Sequence, residues 1–206
     1  MSSCTFHLFF VFLFLAVAGC SSSSTGITIT GRASGNAYLG DFPTAFIGNA
    51  HDGEYDVVMI SDDPSDHADS GNGPLQPVID QPLRQAICIH ILWRPSYGAM
   101  AKEASITNAI IDWYVFGNSD ERNPKVIHYG GAGFVRVYPK EETAKIDIRD
   151  GQVQPKLRRG DMRDPLGPAV IAGSFRAIHD DHRVQELLFR IRQQAGETEK
   201  PVASGK

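Results

Sequence analysis

From Ile27 onward the chain is a series of short apolar runs with period two, and helical spacing is confined to its end. Ile27-Thr28-Ile29-Thr30 alternates and is β-branched, which predicts a first strand. Ala45-Phe46-Ile47 and Tyr55 to Ile60 predict two more around His51-Asp52-Gly53-Glu54, where Asp-Gly suits a hairpin turn of positive φ. In Leu83 to Trp93, Ile87, Ile89, Ile91 and Trp93 share one face, and Cys88, His90 and Leu92 share the other. Two largely apolar faces predict a central strand covered on both sides. Ile106 to Phe116 is the next strand, and both Trp93 and Trp113 read as buried.

Val126 to Tyr138 is extended and interrupted by Gly130-Gly131-Ala132-Gly133, which predicts a bulge or close packing. Ile146 to Arg149, Asp150-Gly151 and Gln152 to Gln154 together read as the clearest hairpin, with Ile148 and Val153 on one face. Lys156 to Pro168 reads as a polar excursion before a last strand, Ala169 to Ala177. Val184, Leu187, Leu188 and Ile191 then fall at i, i+3, i+4 and i+7, one apolar stripe of a helix. Asp180 and Asp181 at its start and Arg190 and Arg192 near its end complement the helix dipole, and Gly196 is placed to stop it. The fold class expected is mainly β, an antiparallel β-sandwich or flattened barrel with one C-terminal amphipathic helix (about 181–195). Residues 27–196 form a single domain in this reading, and 197–206 a disordered tail.

The amino terminus follows a different rule. Phe6 to Ala18 is apolar apart from His7, and Ser21 to Ser24 follow Gly19-Cys20. A membrane-spanning helix needs about 20 apolar residues, so this run has the length of a secretory signal core instead. Val17-Ala18-Gly19-Cys20 resembles the lipobox of bacterial lipoproteins, with the aliphatic, small, small, Cys order intact. The resemblance covers residues 1–20 alone, and residues 1–19 lack the Lys or Arg that members usually carry. It implies cleavage between Gly19 and Cys20, acylation of Cys20, palmitate among its acyl chains, and anchorage in a lipid bilayer of the cell envelope, at an outer membrane or cell surface. Residues 20–26 would then be the lipidated cysteine and a flexible Ser-rich tether.

Composition adds limits. Apolar residues at 42% and charged residues at 21% are globular values. With Cys4 in the leader and Cys20 lipidated, Cys88 alone remains and no internal disulfide forms. Residues 1–82 carry one basic residue, Arg32, against nine acidic ones, while residues 83–206 carry 19 basic and 15 acidic. A net charge of −4 argues against nucleic-acid binding.

Candidate chemistry is thin. Asp62, Asp63, Asp66, His67 and Asp69, with Asn72, offer oxygen ligands at the short spacing Ca²⁺ uses, although Pro64 and Pro74 constrain the loop and EF-hand spacing is absent. The same stretch with His51 would serve a metal-dependent hydrolase, and exposed Trp or Tyr97 would favour a glycan-binding module. His179-Asp180-Asp181-His182 falls at the helix start, where acidic residues cap. Ser96 lacks a glycine elbow, Cys88 and His90 are spaced by roughly 6–7 Å along a strand, and Asp112 and His128 pair only if their strands are in register. The reading that follows is a membrane-anchored envelope lipoprotein with a non-catalytic binding or structural domain and no cofactor, its partner an envelope protein or wall component.

Overall fold

The computed structural model describes residues 26–35, 37–40, 42–51, 53–61, 84–95, 107–117 and 125–197. The expected class holds: the chain is mainly β and ends in one helix. The strands are β1 (Gly26–Gly31), β2 (Ala37–Gly40), β3 (Thr44–Asn49), β4 (Tyr55–Ile60), β5 (Gln85–Ile91), β6 (Ala109–Phe116), β7 (Val126–Gly133), β8 (Val135–Pro139), β9 (Thr143–Arg159) and β10 (Ala169–His179); the helix α1 is Asp181–Gln194. They form one sheet in the order β2-β1-β10-β3-β4-β5-β6-β7-β9-β8. An added β10–β9 pairing turns the middle of that order into a ring. Among the described residues all pairings are antiparallel but one: Ile178 and His179 of β10 run parallel to Phe46 and Ile47 of β3.

Alternation explains why both faces of the sheet bury side chains. Val57 and Met59 of β4, Ile87 and Ile89 of β5, and Ile111 and Trp113 of β6 point into the ring with Tyr129, Ile146 and Ile171. Val58, Ile60, Ala86, Tyr114 and Phe116 point out, beneath Val184, Leu187 and Ile191 of α1. Each such aliphatic side chain contributes about 1.5–3 kcal/mol on burial, so the helix docks through three anchors from one stripe. Leu188, expected in that stripe, is half-buried at its border. Trp93 departs from expectation at 44% exposed, because β5 ends at Ile91 and the chain has left the ladder.

The start of α1 is fixed by its cap. The Asp180 carboxylate accepts from the Arg183 N–H at 2.8 Å, and Asp181 accepts from the Asn49 N–H at 2.8 Å, tying the helix to β3. Its end is a Schellman turn: Gly196, at φ 70°, donates to Gln193, and Glu197 donates to Arg192. Glu197, assigned from sequence to a disordered tail, is therefore part of the folded domain.

The hairpin expected at Asp150-Gly151 does not exist. β9 runs unbroken through both residues, and Gly151 does not take a positive φ. Its glycine serves close approach instead, since a Cβ there would lie 2.8 Å from Ile111 Cδ1 and 3.0 Å from the Ile171 carbonyl oxygen. A register shift against β10, from Ile171↔Gly151 to Gly173↔Ile148, moves the inward phase. That bulge is what sets Ile148 and Val153 both inward. Beyond it, β9 pairs with β7 as far as Arg159, through residues that read as a polar excursion. The Asp52-Gly53 expectation fares better: Gly53, at φ 89°, lies in the turn joining β3 to β4.

A candidate site between the helix and the sheet

Register places six polar or titratable residues together on the outer face. Cys88 stands opposite Val58 and Asp112, His90 opposite Asp56 and Ile110, and Tyr114 opposite His128. Side chains two residues apart on a strand share a face, so these neighbours form one surface across β4 to β7. α1 covers its Ile60–Tyr114 end. At the border lies a cavity of about 310 Å³, lined by Asp56, Cys88, His90, Asp112 and Tyr114 from the sheet and by Leu188, Ile191 and Arg192 from the helix.

Two histidine–carboxylate pairs are built on this face. His90 Nδ1 meets Asp56 Oδ1 at 2.7 Å, and its Nε2 stands 3.5 Å from Glu54. His128 Nε2 meets Asp112 Oδ1 at 2.7 Å, and its Nδ1 stands 3.5 Å from Glu197. The Schellman turn aims Glu197 there, and Arg159 donates to the Gly196 carbonyl at 2.9 Å to hold it. Tyr114 stacks on the His128 ring at 4.4 Å and donates its hydroxyl to Glu197 at 3.4 Å. Burial first, and then the charge of Glu197, push the Tyr114 phenol above its usual range, so it remains a donor.

Cys88 has only a margin toward the cavity. Burial, with Asp112 next, pushes its thiol well above the ordinary value and keeps it protonated. A protonated thiol is a poor nucleophile and a poor metal ligand. Its neighbour His90 turns to Asp56, so the two do not form a catalytic pair. Lys156 crosses from β9 over Gly130 and brings Nζ to 3.9 Å from Asp112. A Cβ on Gly130 would fall 2.4 Å from that side chain, so the glycine is the gap that admits it.

The sequence-derived candidates divide accordingly. Gly19, Cys20, Asp62, Asp63, Asp66, His67 and Asp69 lie outside the described residues, as do Ser96 and Tyr97. His51 is exposed in the β3–β4 turn, and Asp180 is occupied as a cap. Asp112 and His128 are brought together. Among the described residues, no group of three His, Cys, Asp or Glu side chains is arranged to hold a metal ion, and no helix is long and apolar enough to cross a membrane. Sequence reasoning missed Asp56, Tyr114, Lys156, Arg192 and Glu197. The available signal was a carboxylate set inside an otherwise apolar strand, as in Tyr55-Asp56-Val57 and Ile111-Asp112-Trp113.

No protein-family model, curated protein or solved structure matches the chain.

Proposed function

We propose that the chain is an exported lipoprotein, cut after Gly19 and acylated at Cys20, which acts at the cell envelope by binding rather than by catalysis. The address rests on Val17-Ala18-Gly19-Cys20 and the apolar run before it. The observation that carries the binding reading is that both imidazoles are flanked by carboxylates at each ring nitrogen. A general base needs a ring nitrogen facing the proton it removes. His90 is hydrogen-bonded to Asp56 with Glu54 3.5 Å from its other ring nitrogen, and His128 to Asp112 with Glu197 at 3.5 Å, so both nitrogens of each ring face carboxylates, and His90 lines the cavity. With the Cys88 thiol protonated, the cavity presents fixed polar groups beside the apolar edges of Leu188 and Ile191. Such a mixed concave surface suits recognition of an envelope protein or wall fragment.

A photo-reactive residue at Ile110, 41% exposed in the row beside His90, tests this in intact cells. The expected result is a discrete adduct that is lost when Arg192→Glu reverses the charge at the cavity mouth. The same adduct pattern from a probe at Phe189, 67% exposed on α1, would contradict it.

A further inference from the structure

We propose that the outer face of β8, the first half of β9 and the second half of β10 docks on the anionic headgroup surface of the membrane that holds the lipid anchor. This rests on the anchor at Cys20 proposed above. Cys20 precedes Gly26, the first residue of β1, by six residues. At about 3.3–3.6 Å per residue, that segment reaches roughly 20 Å at most. Whatever lies beside Gly26 is therefore held near the bilayer.

Gly26 opposes Ser174, Ser174 opposes Asp147, and Asp147 opposes Arg136, so one cross-strand row runs outward from the tether. Three strand spacings of about 4.8 Å put its far end some 14 Å away. The adjoining row is Arg176, Lys145 and Tyr138. Strand alternation turns these outward, because Ala144, Ile146, Phe175 and Ala177 between them are buried. Arg149 and Ile178 extend the same face, with Ile178 50% and Tyr138 36% exposed.

Four cations thus face outward around Asp147, with Asp150 beyond Arg149 bonded to the Gln152 side chain. Asp147 is answered by Arg149 at 3.4 Å and by the Ser174 hydroxyl at 2.7 Å. The β8–β9 turn adds Lys140 against Glu141 and Glu142, which trims the positive excess without reversing it. Each basic residue near an anionic bilayer contributes about 1 kcal/mol, too little for a free protein with so few. A tethered one meets the surface at an effective concentration in the millimolar range, where a weak patch orients the domain. Tyr138 is of a residue type that settles at the headgroup boundary, and Ile178 adds exposed apolar area to the same face. The same orientation leaves the face of β4 to β7 and its cavity, on another part of the ring, open to the envelope.

The test uses the full chain with its own lipid, incorporated in vesicles of phosphatidylcholine alone or of phosphatidylcholine with phosphatidylglycerol. A water-soluble acetylating reagent then reports lysine reactivity by mass spectrometry. Lys145 should react several-fold more slowly on the anionic vesicles, with Lys125 and Lys156 unchanged. High salt, or Arg149→Glu with Arg176→Glu, should remove the difference. Equal Lys145 reactivity on both vesicles, with the chain bound to both, would overturn the docking while leaving the anchor intact. A chain that does not float with either vesicle overturns the anchor and the docking geometry with it.

Discussion

Asn108, just before β6, is a buried polar side chain that ties the segment after β5 to the start of β8. Its Nδ2 donates to the carbonyls of Trp93 at 2.9 Å and Val135 at 2.8 Å, and its Oδ1 accepts from the Val135 N–H at 2.8 Å. At 0% exposed it has no solvent to fall back on. Asn108→Ala leaves those buried groups unpaired and should cost about 2–3 kcal/mol in chemical denaturation. Asn108→Asp should cost more, because it removes both donors and buries a charge beside carbonyl oxygens. Nothing in Thr107-Asn108-Ala109 announces this role, since the partners are distant in sequence and meet only after the strands pair.

Asp164 shows how pH enters stability. Burial alone would raise its carboxyl, but hydrogen bonds from the Tyr129 hydroxyl and from the Gly167 and Leu166 N–H groups outweigh it and hold the group below its ordinary value. A folded value below the unfolded one stabilises the fold above the unfolded pKa, about 3.9. The contribution is lost as pH falls through the folded value. Stability measured by denaturant titration should therefore decline below about pH 4, and Asp164→Asn should flatten part of that decline. An unchanged acid limb in the variant would contradict the assignment. On the candidate site, residue types were visible in the sequence and partners were not. Asp112 and His128 meet because Tyr114 stands opposite His128, a register that strand alternation alone does not specify.

Among elements, those with strong periodicity were legible. The i, i+3, i+4, i+7 stripe located α1 to within a residue at each end, and both caps lie where Asp180 and Gly196 suggested. β9 was misread because Asp-Gly satisfies two different needs. In a hairpin the glycine supplies positive φ; here it supplies the absence of a Cβ where β9 passes Ile111 and β10. Gly131 makes the same point from the other side of the pairing, since a Cβ there would overlap the Gln152 carbonyl oxygen at 1.8 Å. Backbone cannot move aside as a flexible side chain can. Gly131→Ala should destabilise by about 3 kcal/mol, and denaturant unfolding checks it. An effect below about 1 kcal/mol, short of an overpacking cost, would mean that β7 and β9 stand further apart than described, since Ala for Gly in open space stabilises.

At the scale of the molecule, ring closure was beyond the reach of local pattern. It depends on β10, which pairs with β9 and β1 along its length and meets β3 at Ile178 and His179. Those contacts join the ends of the chain to its middle, and no window of residues encodes them. Charge asymmetry along the chain was legible, but the fold mixes the halves: the basic carboxy-terminal half supplies Lys145, Arg149 and Arg176 on one outer face, and also Asp112 and Arg192 at the cavity, where Glu54 and Asp56 from the acidic half flank His90. The two faces have different work if one rests on a membrane and the other receives a partner. That division stands on the amino terminus. Mass spectrometry of the amino-terminal peptide of the cell-extracted protein tests it directly. The expected chain begins at Cys20, with acyl groups on its thiol and amino group and with residues 1–19 gone. An intact leader joined to an unmodified Cys20 would contradict it.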